Sequence, residues 1–346
     1  MDPARLSDLA MSRCPGTLPA SVRSALDVLC RSLREDARLT PLATRPVEQL
    51  IVSGLVARLR LDARVPADAR PRTPPLIVCG LPRSGTTLLH RLLALSEGAR
   101  AVPFWELHAP VPGVEPDHRR RDARAALGWL HLSGASALRP MREDLPDECG
   151  LLLRLGLRTQ LFWALAPVHG YLDWLLDEPP PYAVYRRTLA HLEGLAPGRL
   201  VLKYPAHALH LPALLEALPG AQVVVTHRDP DDVLPSSHHL LLGLHARVSD
   251  DVDVPRCIAA NTRRLALQAE RTAAHASHAC VHVAHRALVG DPVGTVGSVH
   301  EQLGLEPPDR ARLCAFVEAN PRPPRTAARA QVPGFEAYRD QFAGFL

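Results

Sequence analysis

The sequence predicts an α/β fold, a three-layer domain around a short parallel sheet with helical segments before it and inside it. Three stretches carry that expectation. Leu76, Ile77, Val78 and Cys79 form a continuous apolar run that enters through Pro74 and Pro75, breaks at Gly80, Pro82 and Gly85, and passes into a helical pattern from Thr86. A short apolar run bounded by turn residues reads as a buried strand. Arg199–Lys203 (RLVLK) and Gln222–His227 (QVVVTH) are two further strand-like runs, each followed by a helical pattern. Strands that alternate with helices indicate parallel pairing, because a parallel pair needs a crossover connection.

Residues 1–75 read as a helical cap with proline-rich joints. Its clearest element is Pro46–Leu61, where Leu50, Ile51, Leu55, Val56 and Leu59 recur at helical spacing, and Pro66 and Pro71 end the region. The core then runs over 76–346, with a helical insertion at about 113–198.

From Thr86 the residues Leu88, Leu89, Leu92, Leu93 and Leu95 continue the helical pattern, so the loop delivers the chain into a helix N-terminus. The free N–H groups of a first helical turn and the positive end of its dipole suit a phosphate. The nucleotide-loop pattern G-x-x-x-x-G-K-[ST] is matched at Gly80, Gly85 and Thr87, but Thr86 stands in the lysine position and Arg83 lies inside the loop. That substitution points to a cradle for one phosphate rather than for a triphosphate with bound magnesium.

GLPRSGTT resembles the 5′-phosphosulfate loop of sulfotransferases that use 3′-phosphoadenosine 5′-phosphosulfate (PAPS), in its arginine-containing version. The resemblance implies that Arg83, Ser84, Gly85, Thr86 and Thr87 hold the 5′ end of the donor. The strand Gln222–His227 supports it independently, because Arg228, Asp229 and Pro230 follow, and Ser236 lies eight residues after Arg228. In the family such an arginine and serine clamp the 3′-phosphate. A strand-end arginine and a serine at a helix entry can share one dianion, and Asp229–Pro230 is a suitable helix start.

Ala101–Pro112 leads through a short extended segment to Phe104, Trp105, Glu106 and His108, where the next strand of a doubly wound sheet would release its loop. The resemblance places the catalytic base at Glu106, and His108 is the rival because imidazole titrates near neutral pH. Asp147 and Glu148 open an expected helix over Glu148–Leu165 and read as first-turn acids or pocket residues. Phe162, Trp163, Tyr171, Trp174, Tyr182 and Tyr185 are either core or the lining of an acceptor site. Lys203 ends its strand and is the one lysine among 40 basic residues. A lysine can give up a proton where arginine cannot, and the resemblance implies that Lys203 neutralises the bridging oxygen of the leaving phosphate. His207 and His210 share a face of an expected helix over His207–Leu218 without an apparent third metal ligand, so no metal is expected.

Pro255–Ser277 reads as a long amphipathic helix and Cys280–Val283 as a strand. His285 replaces the tyrosine that the family usually carries in the following phrase, which makes it a candidate donor contact through stacking. Arg322 and Arg325, in an arginine- and proline-rich segment, are candidates for phosphate contact or for an exposed tail.

Composition excludes several classes. A net charge of +4 over 346 residues is too mild for a general nucleic-acid binder. No apolar run has the length of a bilayer span, and the N-terminus lacks the hydrophobic core of a secretory signal, so a cytoplasmic protein is expected. Seven scattered cysteines without a C-x-x-C pair read as reduced thiols.

The expected reaction is sulfuryl transfer from PAPS to a hydroxyl of a small-molecule, carbohydrate or lipid acceptor. Glu106 would take the acceptor proton, and Lys203, Arg83 and the loop amides would stabilise the departing phosphate. Two alternatives are a small-molecule kinase on the same scaffold and a catalytically silent nucleotide-binding protein. The missing loop lysine weighs against the kinase. The sequence leaves the oligomeric state open.

Overall fold

Three of the apolar runs are buried almost end to end, a burial pattern typical of strands covered by helices on both faces of a parallel sheet. The computed structural model describes residues 1–113, 117–132, 141–276, 280–321 and 333–346. Among them, β1 (Leu76–Gly80), β2 (Ala99–Ala101), β3 (Arg199–Lys203), β4 (Gln222–His227) and β5 (Cys280–Ala284) form one sheet in the order β2-β3-β1-β4-β5. All four pairings are parallel. Register sets Val78 against Lys203, Gly80 against Thr226, and His227 against Ala284. Val78, Leu89, Leu92, Val201, Val224, Leu288 and Val296 form the core on one face.

This order decides where a ligand can bind. The connection from β1 runs to the β2 side of the sheet, while the connection from β4 runs the other way to β5. Adjacent strands whose connections diverge open a crevice at their carboxyl ends, so the switch point falls between β1 and β4.

The chain divides into two compact units. One comprises Met1–Arg72, Val102–Leu195 and Leu240–Ala260, and the other Thr73–Ala101, Ala196–His239 and Asn261–Leu346. The sheet belongs entirely to the second. The first is helical, with Pro3–Arg13, Ala20–Glu35 and Pro41–Arg64 at its start. The C-terminal end of Pro41–Arg64 is held by Arg187, whose guanidinium pairs with Asp62 at 2.8 Å and donates to the carbonyls of Val65 at 2.6 Å and Pro66 at 3.0 Å. A cation at this helix end also complements the dipole. Among the described residues, no helix is long and apolar enough to cross a membrane. All seven cysteines are free thiols.

Three helices differ from the sequence expectation. The helix expected at Pro46–Leu61 begins at Pro41, because Thr40 caps it by accepting from the Ala43 N–H at 3.1 Å and Pro41 occupies the first position. The helix expected at Glu148–Leu165 is instead a 3₁₀ segment, Cys149–Gly156, followed by a short helix at Leu161–Leu165. Leu157 adopts a left-handed φ of 53° between them, and a Cβ on Gly156 would lie 2.5 Å from Pro181 Cγ. Every residue of the 3₁₀ segment is buried, so close packing on all sides replaces the one-faced pattern that sustains a long surface helix. The helix expected at His207–Leu218 splits into a 3₁₀ turn, Pro205–His210, and a helix, Leu211–Ala217, because Pro212 has no N–H to continue the first.

Candidate functional site

The loop after β1 is shaped by close approach to β4. Gly80 has φ +128°, and a Cβ there would sit 2.3 Å from the Thr226 carbonyl oxygen, so only glycine lets the two strands meet. Arg83 takes a left-handed φ of 67° and Gly85 one of 93° at the N-cap of the helix Thr86–Leu93. The Ser84 hydroxyl is buried, donates to the Leu81 carbonyl and lies 2.6 Å from Thr226 Oγ1. Ser84 therefore spends its side chain on the loop and leaves its main chain for a ligand. Thr86 is buried and Thr87 exposed at the helix entrance, where the first-turn N–H groups have no intrahelical acceptor.

The loop after β1 and the segment after β4, far apart in sequence, meet here. Arg83 Nε donates to Ser236 Oγ at 3.1 Å, and Arg228 Nη1 donates to the Arg83 carbonyl at 3.1 Å. Arg228 Nε is buried without a hydrogen-bond partner among the described residues and lies 3.7 Å from Asp232 Oδ2. The Arg83 guanidinium thus meets the Ser236 hydroxyl while the Arg228 guanidinium meets the Arg83 main chain, and two such cations close together are stabilised by an anion. Asp229 starts the helix Pro230–Val248 by accepting from the Asp231 N–H at 3.0 Å. His285 opens the helix His285–Gly290 directly after β5, and its Cδ2 is 3.2 Å from the place a Cβ on Gly85 would take. Lys203 is only 1% exposed at the end of β3, and the next residue, Tyr204, donates its N–H to the Val78 carbonyl at 3.1 Å.

Sequence reading missed two contributors in the same unit. The helix Glu336–Phe342 packs on the exit of β4, where Arg339 pairs with Asp231 at 2.6 Å. There the Tyr338 hydroxyl lies 3.0 Å from His227 Nδ1, and His227 Nε2 lies 2.8 Å from His282 Nδ1. Burial, and secondarily His282, push the His227 imidazole down to about 3. Gln268, within the helix Val254–His275, donates to the Gly80 and Pro205 carbonyls at 2.9 Å each. The only sequence signal for it is a polar residue among apolar helical neighbours. Arg322 and Arg325 lie outside the described residues.

Glu106 and His108 belong to the other unit, on the short helix Phe104–His108. That helix is pinned at its start, where Phe104 and Trp105 donate their N–H groups to the carbonyls of Leu145 at 2.9 Å and Glu143 at 3.0 Å. At its end Arg154 Nη2 donates to the His108 carbonyl at 2.6 Å, while Nη1 reaches the Leu50 carbonyl at 3.1 Å and Ser53 Oγ at 3.0 Å. Arg154 is fully buried, and burial pushes its guanidinium down to about 10. Gly54 makes room for it, since a Cβ there would lie 2.8 Å from Arg154 Cγ. Glu106 is buried. Burial, and then the Arg154 charge, push His108 down to about 3, and its Nδ1 is buried without a partner among the described residues. Trp105 lies under two guanidinium groups, those of Arg119 and Arg120, each 4.7 Å from its ring centroid.

Several other candidates are buried or half-buried. Phe162, Trp163, Tyr171, Tyr182 and Tyr185 are all buried, and the Tyr171 hydroxyl donates to the Leu157 carbonyl at 2.7 Å. Asp147 accepts from the N–H of Glu148 at 2.6 Å. His207 is buried, and His210 is pushed down to about 4 by burial and then by Arg271.

Comparison with known proteins bears on the family and the fold. The profile of the Sulfotransferase family matches residues 74–309. The omega-hydroxy-beta-dihydromenaquinone-9 sulfotransferase Stf3 of Mycobacterium bovis, and that of Mycobacterium tuberculosis, are each 28% identical over 277 residues, covering 73% of this chain and 68% of the relative. Sulfotransferase STF1 from Mycobacterium tuberculosis superposes with a TM-score of 0.74 at 27% identity over 99% of both chains. Sulfotransferase STF9 from Mycobacterium avium shares the fold, with a TM-score of 0.80 at 22% identity over 99% of this chain and 95% of its own. With the arginine-bearing loop after β1 and the matched family profile together, the chain belongs to the Sulfotransferase family, enzymes that move a sulfuryl group from a donor co-substrate onto a hydroxyl.

Proposed function

We propose that the donor is PAPS and that the sulfuryl group passes in line to a hydroxyl of a small-molecule, carbohydrate or lipid acceptor. The observation that carries this reading is the cluster of Arg83, Ser236 and Arg228 across the β1–β4 switch point. Arg228 and Ser236 hold the 3′-phosphate, the group that separates this donor from ATP. The main-chain N–H groups of Ser84, Gly85 and Thr86, the Thr87 hydroxyl and Arg83 hold the 5′ end, and His285 borders it at Gly85.

Glu106 is the base. Its carboxylate takes the proton of the acceptor hydroxyl while the acceptor oxygen bonds to sulfur, and the bond from sulfur to the 5′-phosphate oxygen breaks. His108 is the poorer choice, because burial and then the Arg154 charge hold its imidazole down to about 3, where it is a weak proton acceptor. Lys203 and Arg83 stabilise the charge that collects on the leaving bisphosphate. Fixed cations serve here without a metal ion, since the transferred group carries less charge than a phosphoryl group. The hydroxylated menaquinone in the name of the Stf3 relatives makes a hydroxylated lipid the first acceptor to assay.

Calorimetric titration tests the donor directly. The wild-type protein should bind 3′,5′-adenosine bisphosphate tightly and ATP with magnesium weakly, and Arg228→Ala should lose the bisphosphate. Preference for ATP would establish the kinase alternative, and binding of neither would establish the silent scaffold.

A further inference from the structure

The helix Val254–His275 carries a buried polar stripe that the reaction as described does not use. Asn261, Arg264, Gln268 and Thr272 fall at spacings that share one helix face, and all four are at most 7% exposed. Burying such a row costs free energy unless each group is hydrogen-bonded.

The partners of the stripe are the segments that carry the donor site. Asn261 Nδ2 donates to Ser237 Oγ at 3.2 Å, beside Ser236, and Arg264 Nη2 donates to Asn261 Oδ1 at 2.9 Å. Gln268 Nε2 donates both of its hydrogens, one to the Gly80 carbonyl and one to the Pro205 carbonyl, each at 2.9 Å. Gly80 opens the phosphate loop, and Pro205 follows Lys203 by two residues. Thr272 Oγ1 lies 3.5 Å from the Ala208 carbonyl, further along the same exit from β3, and 2.6 Å from the Gln268 carbonyl. The amide of Gln268 is fixed in orientation, because only its nitrogen can face two carbonyls. Its Oε1 is buried with no hydrogen-bond partner among the described residues, a cost accepted to keep the nitrogen where it is.

We propose that Gln268 is a positioning residue that sets the phosphate loop after β1 against the Lys203-bearing exit of β3, and that Asn261 performs the corresponding task for the Ser236 turn. The inference rests on the donor assignment above. One helix then spaces the groups that meet the 5′ and the 3′ ends of the nucleotide. A displacement of well under an ångström between such groups lowers affinity and rate. An apolar side chain at Gln268 would fill the volume but leave two carbonyls without a donor, which frees the loop and the β3 exit to move apart.

The two ends of the nucleotide separate positioning from plain stability. Full-length Gln268→Met and Asn261→Ala would be titrated with 3′,5′-adenosine bisphosphate, adenosine 5′-monophosphate and adenosine 3′-monophosphate. Loss of the two Gln268 hydrogen bonds should weaken the 5′-monophosphate by about tenfold and the 3′-monophosphate by less than about twofold. Asn261→Ala should show the reverse pattern. A structural role would weaken both nucleotides equally in either variant, and that result overturns the proposal. If Gln268→Met does not fold, Asn261→Ala carries the test, since selective weakening of the 3′-monophosphate supports the proposal and equal weakening of both nucleotides overturns it. Wild-type protein that binds no nucleotide refutes the donor assignment. Tight wild-type binding with unselective losses in the variants refutes only the positioning role.

Discussion

Three buried histidines and the half-buried His210 should make this protein lose stability in mild acid, well before its carboxylates protonate. His108 and His227 are held down to about 3, and His210 and His245 to about 4, in each case mainly by burial. In the unfolded chain each returns to about 6.5. The folded value is depressed for a group that is charged when protonated, so below pH ~6.5 the unfolded chain binds protons that the folded chain refuses. Stability is therefore complete above about pH 7 and falls as the pH drops toward the folded values near 3 to 4. Between pH 7 and pH 5 each histidine removes about 2 kcal/mol. His108 and His245 lie in one compact unit and His210 and His227 in the other, so each unit loses about 4 kcal/mol of a typical 5–15. Urea unfolding followed by circular dichroism at pH 7.5, 6 and 5 measures this directly. His245→Gln retains a donor for the Trp163 carbonyl, which His245 Nε2 meets at 2.7 Å, and should lower the average pH slope between pH 7 and pH 5 by about 1 kcal/mol per pH unit. An unfolding free energy that stays level from pH 7 to pH 5, or an unchanged slope in His245→Gln, would refute the reasoning.

Three further outcomes follow from the site. Gly80→Ala should cost roughly 2–5 kcal/mol, because its Cβ would lie 2.3 Å from the Thr226 carbonyl at a φ of +128°; a melting temperature within a degree of wild type would contradict that geometry. Glu106→Gln should reduce sulfation by about 10²-fold or more at unchanged bisphosphate affinity, and turnover equal to wild type would remove Glu106 as the base. Lys203→Ala should lower kcat by about 10²-fold while largely preserving donor binding; a change confined to affinity would assign Lys203 to binding alone.

The first unit shows where local pattern misleads. The run from Cys149 to Gly156 is rich in leucine and reads as a helix, yet it is surrounded on all sides and folds as a 3₁₀ segment. Burial on every face removes the polar stripe by which a surface helix is recognised. Five of the six aromatics that the sequence left between core and pocket are buried, and Trp174 is half-buried. Glu106 and His108 look interchangeable in sequence. In the folded chain His108 is held down to about 3, first by burial and then by the charge of Arg154, which reaches the His108 carbonyl from a segment 46 residues away.

By itself the sequence determined the strand, loop and helix around Gly80 to Leu93, the strands ending at Lys203 and His227, and the arginine and serine after the latter. These are local features, fixed by apolar runs, by glycines at left-handed positions and by helix-start chemistry, and each is complete within a few residues. Only the tertiary structure decided that β1 lies between β3 and β4, that Arg83 therefore meets Ser236 and Arg228, and that Gln268 ties Gly80 to Pro205. Those contacts join residues 63 to 188 positions apart. They depend on which strands pair and in which register, a choice made by the packing of the whole sheet rather than by any stretch of the chain.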